Sequence, residues 1–258
     1  MAGARTVVCI SSSIENFKEK LLARGGKLWR PWDLFSDAIF FGLYHPGDYV
    51  KYLIHRGDRT VIWCGGDIIN LQKSWWRPLI VRVKARHICE NEVEHVALAS
   101  CGIFSEIRPL MFDDPSRFED CFKPSRTPHV FICVHPGREE EYGLPTVLEV
   151  AQELRDITLH VYGVEGLGTP NVIYHGRVPE AQFNQEIRDY QSCLRLNTFD
   201  GFGEGVAKSI LLGQYPITAI KYPLLAYAPD KESLVHHLKE LKKKKESNPA
   251  RIYWASIL

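Results

Sequence analysis

The segment NTFDGFGEGVAKSILLGQYPI, residues 197–217, decides how the chain is read. CLRLN (193–197) has the apolar content of a strand, and EGVAKSILLG (204–213) has the spacing of a helix ending on Gly213. YPITAI (215–220) then reads as a further strand. Strand, loop, helix, strand is the repeating unit of a parallel α/β sheet. In the loop, Gly201, Gly203 and Gly205 remove side chains where the chain turns, so backbone N–H groups can approach a ligand closely. The helix N-terminus adds partial positive charge, which suits a phosphate. Glu204 and Lys208 fall one turn apart on one helix face. Read blandly, the same stretch is a glycine-rich turn with a surface Glu–Lys pair, stabilising by about 0.2–0.5 kcal/mol.

Working outward, HVFICV (129–134), TLHVYG (158–163) and NVIYHG (171–176) read as strands. LPTVLEVAQEL (144–154) and EAQFNQEIRDY (180–190) read as helices. YPITAI closes the sheet, and DKESLVHHLKELKKKK (230–245) is a long helix whose cationic end, Lys242 to Lys245, complements the macrodipole. Asn248-Pro249 offers an N-cap followed by proline at the first helical position, so RIYWASIL begins another helix. DDPSRFEDCFKPSRTP (113–128) has three prolines, dense charge and no apolar period, as an interdomain linker does. Before it, TVVCI (6–10), AIFFG (38–42) and TVIWC (60–64) read as strands, and 95–110 as strand mixed with helix. IENFKEKLLARG and DYVKYLIHRG read as helices ending at Gly25 and Gly57, both in C-cap positions. No solenoid repeat is present. The expected architecture is α/β: a domain at 1–124, a second at 125–247, and a C-terminal helix at 248–258 packing back on the first.

Composition narrows the classes. At 258 residues the chain accommodates two small domains. A formal net charge of +1 gives no global case for a nucleic-acid partner. The seven cysteines form no CxxC pair and no metal-ligand spacing, and they read as buried thiols in a reducing cytosol. MAGARTVVCISSS is too short and polar for a signal peptide, and no apolar run approaches the ~20 residues of a membrane span. The expectation is a cytoplasmic protein, peripheral to membranes at most.

Several motifs in order resemble the donor-binding half of GT-B retaining glycosyltransferases of the glycogen-synthase-like superfamily, family 4 among them. In that family an acidic residue precedes Gly-Phe-Gly, a second Glu follows after seven residues, and the helix ends in Gly-x-Pro before a strand. Here Asp200 precedes Gly201, Phe202 and Gly203, and Gly213, Tyr215-Pro216 and Ile217 match the later part. Upstream, HPGR (135–138) is similar to the Gly-Arg that opens the domain, and VYG (161–163) to a strand ending in Gly. Pro170, Asn171, Val172 and Gly176 match Pro-Asn-Val-x-x-x-Gly. The resemblance runs from about 129 to 240.

It implies a GT-B-like fold, two Rossmann-like domains facing a central cleft, with a shortened N-terminal domain. It also implies a metal-independent, retaining, hexosyltransferase-type enzyme without cofactor, using a UDP- or GDP-sugar or a related nucleotide sugar as substrate. Arg138 would hold the donor diphosphate, where a bidentate, permanently charged guanidinium is apt. Gly163 and the loop through Glu165 would border the nucleotide, and Arg177 and Val178 would frame the base through main-chain groups. Asp200 would bind hydroxyls of the transferred sugar, and the amides from Phe202 through Glu204 to Gly205 would meet phosphate. Two positions depart from the pattern. Lys208 replaces the Glu that usually takes the ribose hydroxyls, and a lysine accepts no hydrogen bond. Tyr142 stands where a lysine follows the Gly-Arg.

In the first half VIWCGGDIINL (61–71) runs a strand into Gly65-Gly66-Asp67, and active sites collect at carboxyl ends of strands. Asp67 is the candidate catalytic or orienting residue there, beside Asp200; a plain helix cap is its alternative. His45 and His95 are weaker candidates. KSWWRPLIVRVKAR (73–86) is aromatic and basic, fit for a membrane surface, a carbohydrate or nucleic acid, although LIVRVKAR also alternates as an amphipathic strand would. The acceptor stays open among glycan, lipid-linked sugar, protein and modified DNA. The competing readings are a degenerate GT-B protein that binds nucleotide, glycan or a partner without catalysis, and a sugar-nucleotide epimerase or inverting transferase.

Overall fold

The computed structural model describes residues 6–23 and 25–258. Residues 1–5, part of the stretch judged too polar for a signal peptide, and Arg24, inside an expected helix, lie outside them. The chain divides into two compact units, Met1–Asp113 with Phe199–Phe202, and Asp114–Thr198 with Gly203–Leu258.

Unit 1 is a parallel sheet of β1 (Val7–Ile10), β2 (Lys27–Leu28), β3 (Ala38–Phe41), β4 (Arg59–Ile62), β5 (Arg86–Cys89) and β6 (Glu106–Ile107), in the order β2-β1-β3-β4-β5-β6. Strands such as VVCI and AIFF are apolar throughout because the sheet is covered on both faces. On one face α1 (Lys18–Ala23) and the turn before it bring Ile14, Phe17 and Leu21 onto Phe41, Ile62 and Ile88. On the other, α2 (Pro46–Ile54), α3 (Gly66–Lys73), α4 (Arg77–Ile80) and α5 (Glu92–Ser100) pack Tyr49, Tyr52, Ile68, Ile80 and Leu98 over Phe40, Val61 and Trp63.

Unit 2 is a second parallel sheet, of β7 (His129–Cys133), β8 (Thr158–Tyr162), β9 (Val172–Gly176), β10 (Ser192–Arg195), β11 (Ile217–Thr218) and β12 (Ala226–Tyr227), in the order β12-β11-β10-β7-β8-β9. The connections are α6 (Leu144–Glu153), α7 (Glu180–Glu186), α8 (Glu204–Leu211) and α9 (Lys231–Leu241), with α10 (Ala250–Ala255) last. Residues of α6 and α9 bury Val147, Val150, Leu234 and Leu238 against Val130, Ile132, Leu159 and Val161. Phe183 of α7 packs edge-on to Phe131 and Tyr162. The strand order reverses beside β7, and in such sheets ligands bind outside the carboxyl ends of the strands at that reversal.

Several expectations need correction. The 79–86 stretch is not a strand: α4 takes Arg77–Ile80, and β5 begins only at Arg86. Pro78 suits the first turn of a helix, and this outweighs the alternation. In the mixed region 95–110, α5 ends at Ser100 and the strand is only the short β6. Gly57 is not a C-cap, since α2 stops at Ile54; a side chain there would overlap the Ser36 carbonyl, so close approach requires the glycine. YPITAI does not close the sheet, because β12 pairs beyond β11. The linker reading of 113–128 covers too much: Phe118 is buried and lies under Lys208 in unit 2. The last helix packs on α8, where Arg251 Nε donates to the Leu211 carbonyl and Trp254 Nε1 to that of Pro223, all within unit 2.

Candidate functional site

In unit 2 a pocket of ≈ 490 Å³ opens at the carboxyl ends of β7, β8 and β9. It gathers Gly163, Arg177, Val178 and Lys208 of the predicted residues, and adds Glu180 and Phe183. Gly163 follows β8 with φ +93°, and a Cβ there would overlap the Val134 carbonyl, so the two strand ends can meet only through glycine. The Glu165 carboxylate lies against Gly176. A cavity of ≈ 540 Å³ lies elsewhere on unit 2, among Tyr215, Leu224, His237 and Lys244, and holds none of the predicted residues.

Lys208, on α8, is only 2% exposed. Its Nζ lies 3.0 Å from both Glu180 Oε1 and Asn184 Oδ1, and 3.9 Å from Glu204 Oε2. The rings of Phe118 and Phe183 flank it at 5.5 and 5.7 Å. The Glu204–Lys208 pair is thus part of a buried charge cluster and not a surface pair.

Beside the pocket, the Tyr142 ring takes two guanidinium groups, Arg138 at 5.5 Å and Arg195 at 5.3 Å. Arg138 also pairs with Glu141, holding that carboxyl below its usual range. Arg195, at the end of β10, runs beneath the glycine loop: a Cβ on Gly203 would sit 3.0 Å from its Nε. Burial pushes the Cys133 thiol in the pocket wall up to about 11, against the opposing pull of Arg195 and Lys208. Arg195 escaped the sequence reading because CLRLN scans as a strand. Its signal was a lone cation in an apolar strand that leads into a glycine-rich loop.

The other predicted residues lie in unit 1. Asp67 has no exposed surface, and its Oδ1 and Oδ2 accept from the amides of Cys64 and Leu43 at 3.0 and 3.1 Å. Burial raises its carboxyl to about 6, and those amides restrain the rise. Its visible work is to tie the end of β4 to the loop after β3. Asp200, Gly201 and Phe202 cross residues that went unnoticed in ENEVEH. The Asp200 carbonyl accepts from Asn91 Nδ2 at 2.7 Å, and the Phe202 amide, expected to face phosphate, donates to Glu90 Oε2 at 3.1 Å. A side chain on Gly201 would overlap the Glu90 carboxylate. Glu94 is wholly buried, with Oε2 accepting from the Glu90 amide and Oε1 without a partner. His45 caps α2 and meets Ser13 at 2.8 Å, and His95 meets Ser105 at 3.0 Å. Trp75 is exposed and stacks on Trp76 at 4.0 Å.

Among solved structures, HepE from Anabaena, in complex with UDP and glucose, superposes with a TM-score of 0.68 at 11% identity, over 99% of this chain and 95% of that one. The pneumococcal O-GlcNAc transferase GtfA, in complex with UDP and GlcNAc, gives 0.57 at 14% identity, over 88% of this chain and 54% of that one. A glycosyltransferase from Rickettsia africae gives 0.65 at 10% identity, over 99% and 94%. The chain has the GT-B fold. It spans about half the length of GtfA and nearly all of HepE. No protein-family model and no curated protein sequence matches it. In the GT-B chain the predicted donor residues divide between two clusters of unit 2, the pocket and the Arg138–Tyr142–Arg195 stack, and the 199–202 segment of unit 1.

Proposed function

We propose that the protein is a glycosyltransferase of the EC 2.4 type that moves a sugar from a nucleoside-diphosphate sugar to an acceptor. The observation that carries the reading is the unit-2 pocket at the reversal of strand order, with Gly163, Arg177, Val178 and Lys208 gathered in it. The UDP in the HepE and GtfA complexes makes uridine the base to try first. Arg138 and Arg195 would receive the diphosphate, and their charge would stabilise it as it leaves. In the transfer the bond from the anomeric carbon to the phosphate oxygen breaks and a bond to the acceptor oxygen forms. The acceptor proton passes to the leaving phosphate. Retention, chemistry without a metal, and Asp200 as the group on the sugar hydroxyls belong to the same proposal and rest on the resemblance of residues 200–216.

A cytoplasmic setting is part of the reading, supported by seven thiols with no bridge between them. Among the described residues no helix is long and apolar enough to cross a membrane. Exposed Trp75 and Leu79 flank Arg77, and we assign peripheral contact with a lipid surface to them; co-sedimentation with anionic vesicles tests it.

The decisive experiment is a thermal-shift screen of UDP, GDP, ADP and TDP and their sugars, since a ligand that binds the folded state raises its stability by mass action. Sugar hydrolysis and transfer by wild type and Asp200→Ala then follow. Binding with turnover lost in the variant supports the transferase. Binding without turnover in the wild type favours a binding protein, and neither binding nor turnover across the panel ends the enzyme reading.

A further inference from the structure

The strands of the unit-1 sheet all run parallel, so every segment that enters a strand reaches the same edge of the sheet. In the row β3-β4-β5-β6 the four entering segments, 34–37, 54–58, 73–85 and 101–105, stand side by side, about 15 Å from first to last at the usual strand spacing. Each carries an exposed apolar side chain. Phe35 before β3 is 81% exposed and Phe104 before β6 is 86% exposed, with Ile54 before β4 and Trp75 and Leu79 before β5 exposed between them. Packing joins these segments into one surface. The amides of Arg56 and Gly57 donate to the Leu34 carbonyl at 2.7 and 3.0 Å, which brings the segment of Phe35 against the one entering β4. Trp76, on which Trp75 stacks at 4.0 Å, lies 6.0 Å from the Tyr49 ring of α2. A Cβ on Gly102 would sit 3.3 Å from Val81 Cγ1, so the segment of Phe104 borders the one before β5. The same segments are cationic. Arg56, Lys73, Arg77, Arg82 and Lys84 are exposed there, against the exposed carboxylates of Asp37 and Asp58. Among the described residues Lys73, Arg77, Arg82 and Lys84 make no ion pair, whereas Arg86 at the start of β5 is matched by Glu106.

A continuous row of apolar side chains on a soluble surface marks an interaction site, and the cations among them select its partner. A second copy of the chain, related by a two-fold axis, would set these cations against themselves. A nucleic-acid duplex would engage the cations through its phosphates and leave Ile54, Leu79 and the rings in water. An anionic bilayer serves both: lipid phosphates meet the cations, while tryptophan and phenylalanine rings enter the interface. We propose that the amino-terminal edge of the unit-1 sheet, from Phe35 to Phe104, is a docking surface for an anionic lipid bilayer. The inference extends the lipid contact assigned above to Trp75 and Leu79, and it rests on that reading. It also gives the contact a direction. Asp67, bonded to the amides after β3 and β4, and Asp200, bonded to Asn91 after β5, lie at the carboxyl ends of the same strands. Docking therefore turns them away from the bilayer, and the face anchors the chain without bringing lipid to those residues.

The test is co-sedimentation of the intact chain with vesicles of phosphatidylcholine, alone or mixed with phosphatidylserine. The variants are Phe35→Ser, Trp75→Ser, Phe104→Ser and the double reversal Arg82→Glu with Lys84→Glu. All five positions are exposed, so melting curves should match the wild type. The expected result is that the wild type binds the serine-containing vesicles, spares phosphatidylcholine alone, and is released in about 0.5 M salt. Each single variant weakens that partition about fivefold or more, and the double reversal more than tenfold. Weakening in Trp75→Ser, with Phe35→Ser and Phe104→Ser both at the wild-type partition, overturns the extended face and leaves the narrower contact standing. Absence of wild-type binding to either vesicle removes both. Retention of a DNA duplex without vesicle binding gives the face to another occupant and overturns the inference. So does a dimer, in sedimentation velocity, that Phe104→Ser dissolves.

Discussion

Glu94 illustrates how much one buried oxygen can cost. Burial and the neighbouring charge of Glu90 hold its carboxyl well above the usual range, and Oε1 has no partner. A carboxyl raised in the folded state favours folding most below its unfolded value, and that contribution is lost as pH rises through the folded value. Glu94→Gln has no proton to lose. Its stability should therefore exceed that of the wild type by a margin that grows from pH 5 to pH 9, reaching on the order of a few kcal/mol at pH 8. A margin independent of pH, in calorimetric scans across that range, would count against the buried acid. Arg195 is the second residue to test. In the proposed donor site Arg195, under Gly203, receives the diphosphate, and Arg195→Ala should weaken UDP binding roughly tenfold or more.

At the scale of elements, the ends of β7 and β8 are joined by a glycine that tolerates nothing larger. Gly25 also has positive φ, at +88°, but a Cβ there meets no atom within 4 Å. Gly163 has φ +93° and its Cβ would overlap a backbone oxygen, which cannot rotate away as a side chain could. Gly25→Ala should thus cost about 1 kcal/mol, from backbone strain alone, and Gly163→Ala roughly 2–4 kcal/mol, because β8 must also shift. Urea titration of both variants measures the difference, and equal losses would contradict the packing at the strand ends. Because that shift reshapes the pocket, Gly163→Ala should also weaken nucleotide binding.

Across the whole molecule, the stability profile in acid should carry the mark of a histidine line on the unit-2 sheet. His129, His160 and His175 lie on β7, β8 and β9, linked at 2.8 and 2.9 Å, with Tyr190 3.1 Å from His160 Nδ1. Burial, with the neighbouring histidines, pushes His160 down to about 3, and burial lowers His129 as well. The unfolded chain then takes up protons near pH 6.5 that the folded chain refuses, so stability is full above that pH and falls toward pH 3. Melting temperature should drop steadily from pH 6.5 to 4, and His160→Gln should flatten that slope. An unchanged slope would place the acid sensitivity in other groups.

The strands and helices around the candidate site were largely legible in the sequence. Runs such as HVFICV and TLHVYG carry the apolar signature of a sheet covered on both faces, and glycines mark where strands end. The gathering of Gly163, Arg177, Val178 and Lys208 followed from their order along βαβ units. Packing decided the rest. Pro78 made a helical turn of an alternating stretch, and the 199–202 segment went to unit 1 through Glu90, which lies 112 positions from Phe202. Lys208 reads as a surface cation until Glu180, 28 positions away, closes on it. Periodicity and turn chemistry act over a few neighbouring residues, so most elements and their α/β order could be read from local sequence. Which charge faces which ligand depends on side chains that only the tertiary structure brings within a few ångströms, where Coulomb and hydrogen-bond energies become large enough to matter.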